Sequence, residues 1–270
     1  MESKLSKVYF PSHSYHTKED MPRKLLDRIA LNTRFYFMIR YGSFILRDRK
    51  VALEGNYDKE TWALTSNDIF RLIEDCGGRF HITGLDNLHN CKEPVVFIGN
   101  HMSTLETMIF PCIIAPLMDV TFIVKNSLVE HGYFAPIMRA RKPIIVGRTS
   151  SREDFKKVMT EGPELLAKGI SIVVFPQSTR KDEFIPSEFN SLGVKLAKKA
   201  SVNVIPIAIK TDFWGHGKYL KDLGPIRRDK PIYMDFGKPM EISGSGKEEH
   251  ERIIEFISSS LTNWGGEVRR

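Results

Sequence analysis

The chain has few cysteines and no long apolar run. Its three cysteines, Cys76, Cys91 and Cys112, form no CxxC pair and leave an odd count. That excludes a disulfide framework and a cysteine-rich zinc site, and it reads as reduced thiols in a cytosolic setting. No window reaches the roughly 18 uninterrupted apolar residues that a membrane-spanning helix needs. Arg34 and Arg40 bracket FYFMI, which is too short to cross a bilayer. The opening residues, MESKLSKVYFPSHSYH, lack the apolar core of a secretory signal. There is no GxSxG nucleophile elbow and no phosphate-binding P-loop. The histidines of HSYH (13–16) stand as a pair in the N-terminal arm, so no metal site is expected. No repeat or low-complexity tract appears, and SGSGK near residue 243 is the nearest thing to a linker.

Positive charge is present, and it is concentrated. The net charge over 270 residues is +7. Residues 1–50 hold 11 Lys or Arg against 5 Asp or Glu, a surplus of 6 that is most of the total. Such an arm suits nucleic acid or an anionic membrane surface. Interleaved apolar residues, among them Leu25, Leu26, Ile29, Phe35, Ile39, Phe44 and Leu46, favour a bilayer interface. No nucleic-acid motif accompanies the charge, so no nucleic-acid partner is expected. The same residues also fit amphipathic helices packed on the protein's own core.

From residue 79 the pattern becomes regular. The runs RFHIT (79–83), PVVFIG (94–99), TFIVK (121–125), PIIVG (143–147), ISIVVF (170–175), NVIPIAI (203–209) and PIYMDF (231–236) alternate with helix-like stretches. Near-continuous apolar character marks strands covered on both faces. The expected fold is α/β: a largely parallel, mixed sheet of about seven strands flanked by helices, preceded by N-terminal amphipathic helices. Pro206 demotes its strand's centre or marks an edge or bulge. Ser150 with Glu153 reads as a capping box. HERIIEFISSSL reads as a closing helix on the sheet. The chain divides into a basic helical region (1–78), an α/β core (79–240) and the C-terminal helix (241–270).

NHMSTLE (100–106) is the first stretch that carries chemistry. On one continuous helix His101 and Glu106 would be about 140° apart around the axis and could not meet. They can meet if His101 lies in the loop before the helix and Glu106 in its first turn. Ser103 followed by Glu106 is a capping-box pattern that starts a helix at Ser103. His101 would then sit at the C-terminal end of a parallel strand, where open α/β sheets gather ligands. There a carboxylate could orient an imidazole base. These seven residues fit equally a plain helix start in which Glu106 only caps. Lys125, Arg148 in IIVGRTS and Arg180 in FPQSTRK also follow the ends of expected strands, making an anion-binding rim around His101.

The run GLDNLHNCKEPVVFIGNHMSTLET, then IIVGR, FPQSTR and NVIPIAI, resembles the four sequence blocks of the glycerolipid acyltransferases, nearest to those acting on 1-acylglycerol-3-phosphate. The resemblance covers about residues 79–237. It implies transfer of an acyl chain from acyl-CoA or acyl carrier protein to a lysophospholipid hydroxyl, with no acyl-enzyme and no cofactor beyond that co-substrate. His101 would be the general base and Glu106 its partner. Lys125, Gly147, Arg148, Phe175, Pro176, Gln177, Ser178, Thr179 and Arg180 would bind substrate, the three cations at the acceptor phosphate. The protein would work at the cytoplasmic face of an anionic membrane, as a peripheral or monotopic protein.

Three departures bear on the acceptor. Glu106 stands where the family usually has Asp. Gln177 and Ser178 replace the Glu and Gly of FPEGTR. Asn203 replaces a proline. The same reaction on a lyso-aminolipid, another lysophospholipid or a lipid A precursor is one alternative, and an inactive lipid-binding protein at the membrane surface is another.

Overall fold

All seven apolar runs become strands in the computed structural model, which describes residues 7–31, 33–177, 179–218 and 221–269. In chain order the N-terminal part comprises β1 (Tyr15–His16), α1 (Leu25–Ile29), α2 (Phe35–Leu53) and α3 (Lys59–Asp75). The next units are β2 (Phe80–Thr83), α4 (Leu85–His89), β3 (Val96–Gly99), α5 (Leu105–Ile114) and β4 (Val120–Lys125). Then follow α6 (Ser127–Glu130), α7 (Ala135–Ala140), β5 (Ile144–Val146), α8 (Ser151–Ala167) and β6 (Ser171–Val174). The chain closes with β7 (Glu183–Phe184), α9 (Leu192–Ala200), β8 (Val204–Lys210), β9 (Ile232–Phe236), α10 (Lys247–Asn263) and β10 (Glu267–Val268).

The main sheet has eight strands in the order β1-β2-β9-β8-β3-β6-β4-β5. Strands β8, β3, β6, β4 and β5 run parallel, and β9 is antiparallel to β8. The eighth strand is β1, whose two residues pair antiparallel with β2 and bring His16 opposite His81. The HSYH stretch is thus part of the sheet rather than a separate arm, because pairing with β2 supplies its backbone partners. Strands β7 and β10 form a separate two-stranded parallel pair.

Alternate residues of the buried strands feed two cores. Phe97, Ile205, Ile207 and Ile209 face Ile69, Phe70 and Ile73 of α3 and Ile109 and Phe110 of α5. Val96, Ile98, Val204 and Ala208 face Val158 of α8, Val194 and Leu196 of α9, and Ile253 and Ile257 of α10. Helices on both faces explain why these strands read as unbroken apolar runs. Gly193 lets α9 lie close on β3, since a Cβ there would fall 2.7 Å from Cδ1 of Ile98. Ser150 caps α8, its hydroxyl accepting from the Glu153 N–H at 3.3 Å. Pro206 lies inside a central strand, not at an edge. It is tolerated because the β8–β9 ladder ends beside it, where its carbonyl accepts from the Gly237 N–H at 2.8 Å and no partner needs its missing N–H.

Helix α2 faces two ways. Phe37 and Tyr41 make edge-on contacts with Trp214, and Phe37 is fully buried. On the opposite side Phe35, Ile39, Leu46 and Leu53 are 57–70% exposed. At 100° per residue these four fall within about 40° of one another, a single outward stripe. In α1 and just beyond it, Leu25, Leu26, Ile29 and Leu31 are also exposed. Among the described residues no helix is long and apolar enough to cross a membrane.

Candidate active site

Parallel pairing puts the C-terminal ends of β8, β3, β6, β4 and β5 at one edge of the sheet. His101 follows β3. Asn100 ties that turn to β8: its Nδ2 donates to the Ile209 carbonyl at 2.8 Å and its Oδ1 accepts from the Ile209 N–H at 2.9 Å. The helix begins one residue later than the capping pattern predicts, with Thr104 at the cap position. Half of the capping box forms, as Oε1 of Glu106 accepts from the Ser103 N–H at 2.8 Å. The Ser103 hydroxyl accepts from the Leu105 N–H at 3.1 Å and donates to the Glu106 carboxylate, at 3.0 Å from Oε2.

His101 and Glu106 meet. Nδ1 of His101 lies 2.9 Å from Oε1 of Glu106, the imidazole 15% exposed and the carboxylate fully buried. The same oxygen accepts from the Met102 N–H at 2.8 Å, and Oε2 accepts from the Thr211 hydroxyl at 2.6 Å. Burial pushes the Glu106 carboxyl up, but hydrogen bonding and charge at His101 and the Thr211 hydroxyl outweigh it, and the net shift is down. Glu106 is therefore a buried carboxylate. Since a carboxylate only accepts, Nδ1 of His101 must carry the proton, which leaves Nε2 as the basic nitrogen.

The loop after β6 completes the setting. Phe175 stacks on the imidazole with ring centres 4.3 Å apart and planes 11° from parallel. Oε1 of Gln177 accepts from the His101 N–H at 2.7 Å, while Gln177 Nε2 is buried without a partner among the described residues. The Pro176 carbonyl accepts from Asn190 Nδ2. Thr179 is half-buried, and Ser178 lies outside the described residues. The Arg180 guanidinium donates to the Thr104 hydroxyl and pairs with Asp222.

Lys125, Gly147 and Arg148 are exposed at the ends of β4 and β5. The Gly147 and Arg148 N–H groups donate to the Asp154 carboxylate at 2.8 and 2.9 Å, which holds Arg148 in left-handed backbone at φ 57°. At about 4.8 Å per strand, the β6 loop is one step from His101 and the β5 loop three steps, roughly 14 Å. The structure therefore gathers His101, Glu106, Phe175, Gln177 and Arg180 tightly and strings Lys125 and Arg148 along the same rim.

Sequence reasoning paired Ser103 with Glu106 but missed Asn100, Thr104 and Thr211 as supports and Asp222 as the partner of Arg180. Thr211 directly follows β8, so the strand-end rule that found the cations could have found it. Nothing local marks Asp222.

The family model described as Acyltransferase matches residues 79–210. Residues 79–210 are an acyltransferase-family domain. A relative from Pseudomonas aeruginosa, named 1-acyl-sn-glycerol-3-phosphate acyltransferase, is 29% identical over 189 residues, 68% of this chain and 70% of that protein. One of the same activity name from Chlamydomonas reinhardtii is 26% identical over 166 residues, covering 60% of this chain but 46% of its own length. The crystal structure of the 1-acyl-sn-glycerophosphate acyltransferase PlsC from Thermotoga maritima superposes with a TM-score of 0.59 at 17% identity, over 91% of this chain and 94% of that one. That likeness shows a shared fold. The acyltransferase domain spans β2 to β8, so every group of the His101–Glu106 cluster except Thr211 and Asp222 falls inside it.

Proposed function

We propose that this acyltransferase moves a fatty acyl chain from a thioester donor, acyl-CoA or acyl carrier protein, to the hydroxyl of a lysophospholipid. The preferred acceptor in this reading is 1-acylglycerol-3-phosphate, and the product is phosphatidic acid. The observation that carries the reading is the 2.9 Å contact of His101 with a fully buried Glu106 at the end of β3.

The chemistry follows from that pair. Nε2 of His101 takes the proton of the acceptor hydroxyl as its oxygen attacks the thioester carbonyl. The imidazolium that forms is stabilised by Glu106. Collapse of the tetrahedral intermediate breaks the carbon–sulfur bond, and the leaving thiolate takes the proton back from Nε2. The products are an ester and a free thiol. The ring is fixed on one side by Glu106 and on one face by Phe175, so it need not reorganise between steps. Arg180, one strand from His101, is the cation for the acceptor phosphate, and Lys125 and Arg148 extend the basic rim.

The exposed apolar stripe of α2 and its basic neighbours support work at an anionic bilayer. A lysophospholipid stays in the membrane, so the site must come to it. Burying the stripe gains roughly 25 cal/mol per Å² of apolar surface, and each nearby Lys or Arg adds about 1 kcal/mol at an anionic surface. A mass-spectrometric assay tests the acceptor. Purified protein is given acyl-CoA or acyl carrier protein and a panel of lysolipids in detergent. Preferred acylation of 1-acylglycerol-3-phosphate is expected; preferred acylation of a lyso-aminolipid would reassign the acceptor.

A further inference from the structure

We propose that Asp222 is an internal competitor for the acceptor phosphate, and so a specificity-determining residue for phosphomonoester headgroups. The proposal rests on the acyl-transfer reading only for the identity of the anion.

Two donors, Thr104 and Arg180, hold the Asp222 carboxylate. Its Oδ1 accepts from the Thr104 hydroxyl at 2.6 Å and pairs with the Arg180 guanidinium. Thr104 is the cap residue of α5, three residues from His101, so the carboxylate also lies by the positive end of that helix. A guanidinium, a hydroxyl donor and a helix N-terminus are the groups that bind phosphate oxygens. In this structure the protein's own carboxylate fills that place. The pairing also holds the Asp222 carboxyl low: burial pushes it up, but the Thr104 and Arg180 contacts prevail.

Among the described residues these two are the only hydrogen-bond partners of the Asp222 side chain, with the charge of His216 acting on it as well. Its side chain is 52% exposed, against 19% for Arg180. Turning the carboxylate into water needs only a rotamer change, whereas Arg180 stays in place against Thr104. A phosphomonoester carries more charge than a carboxylate and offers three oxygens instead of two. It displaces Asp222, while weaker anions do not. The apparent phosphate affinity is then lowered by the fraction of molecules in which Asp222 occupies Arg180.

The test measures binding without acyl transfer. Glycerol 3-phosphate, the soluble phosphomonoester headgroup, is titrated calorimetrically into the full chain as wild type, Asp222→Asn, Asp222→Glu and Asp222→Asn with Arg180→Gln. Asp222→Asn is expected to bind about 3- to 10-fold tighter, Asp222→Glu close to wild type, and the double variant to lose the gain. Equal or weaker binding by Asp222→Asn would overturn the proposal, as would an Asp222→Glu affinity matching that of Asp222→Asn. A tighter Asp222→Asn that acylates no lysophospholipid would retain the competitor and remove the functional reading instead.

Discussion

The His101–Glu106 centre and helix α2 treat their side chains in opposite ways. At the centre nearly every polar atom has a partner: Glu106 alone meets His101, Met102, Ser103 and Thr211, and its carboxylate has no exposure. On α2 one face is packed and the other leaves Phe35, Ile39, Leu46 and Leu53 in water. A base must be held in one orientation before its substrate arrives, so its supports are built into the fold. A surface that will be covered by lipid does not have to be finished by the protein. In the proposed function the contrast is between a rigid chemical centre and a face that lipid completes from outside.

Substitutions at the two regions should separate these roles. The largest effect is expected at His101: its change to Ala should lower turnover by about 10²–10⁴-fold with thermal stability little altered. Retained turnover in steady-state assays would remove it from the chemistry. Arg180→Ala should raise the acceptor KM by about 10- to 100-fold, in line with the roughly 1.5–3 kcal/mol of a hydrogen bond to a charged group, with a smaller change in kcat. An unchanged acceptor KM would detach Arg180 from the phosphate. Replacing Phe35, Ile39 and Leu46 together by Ser should weaken cosedimentation with anionic liposomes while activity on detergent-dispersed substrate survives. Unfolding of that variant, or unchanged cosedimentation, would contradict the docking role.

The smaller effects concern stability. Because the Glu106 carboxyl is held below its ordinary value of 4.5, the unfolded chain binds this proton more readily than the folded one. Its contribution is therefore present above about pH 4.5 and is lost as pH falls through the lower folded value. Melting temperature should fall more steeply on acidification in wild type than in Glu106→Gln; parallel curves would mean that Glu106 is not a buried carboxylate. Gln177→Ala leaves the part-buried His101 N–H without its acceptor, a cost of about 1–3 kcal/mol in urea unfolding.

Much of this was legible in the sequence because it rests on local pattern. Strands β3, β6 and β8 are buried on both faces and read as apolar runs. His101 and Glu106 are five residues apart, so a loop followed by one helical turn was enough to allow their contact beside the plain capping alternative, and the structure shows the contact at 2.9 Å. What stayed hidden depends on distant pairing. Strand β1 is two residues long and exists because β2 offers it an edge. Thr211 reaches Glu106 across 105 positions, and Asp222 reaches Arg180 across 42. Thr211 is marked only by its place just after β8, and nothing local marks the pairing of β1 with β2 or of Asp222 with Arg180; the tertiary fold creates these meetings.

The most direct test of the whole account is a side-by-side acyl-transfer measurement on wild type and His101→Ala. Each protein would receive acyl-CoA or acyl carrier protein with 1-acylglycerol-3-phosphate in mixed micelles, and phosphatidic acid would be read by mass spectrometry. Product is expected from wild type, with a loss of about 10²–10⁴-fold in the folded variant. Equal product from both proteins, or none from a folded wild type with any donor, would contradict it.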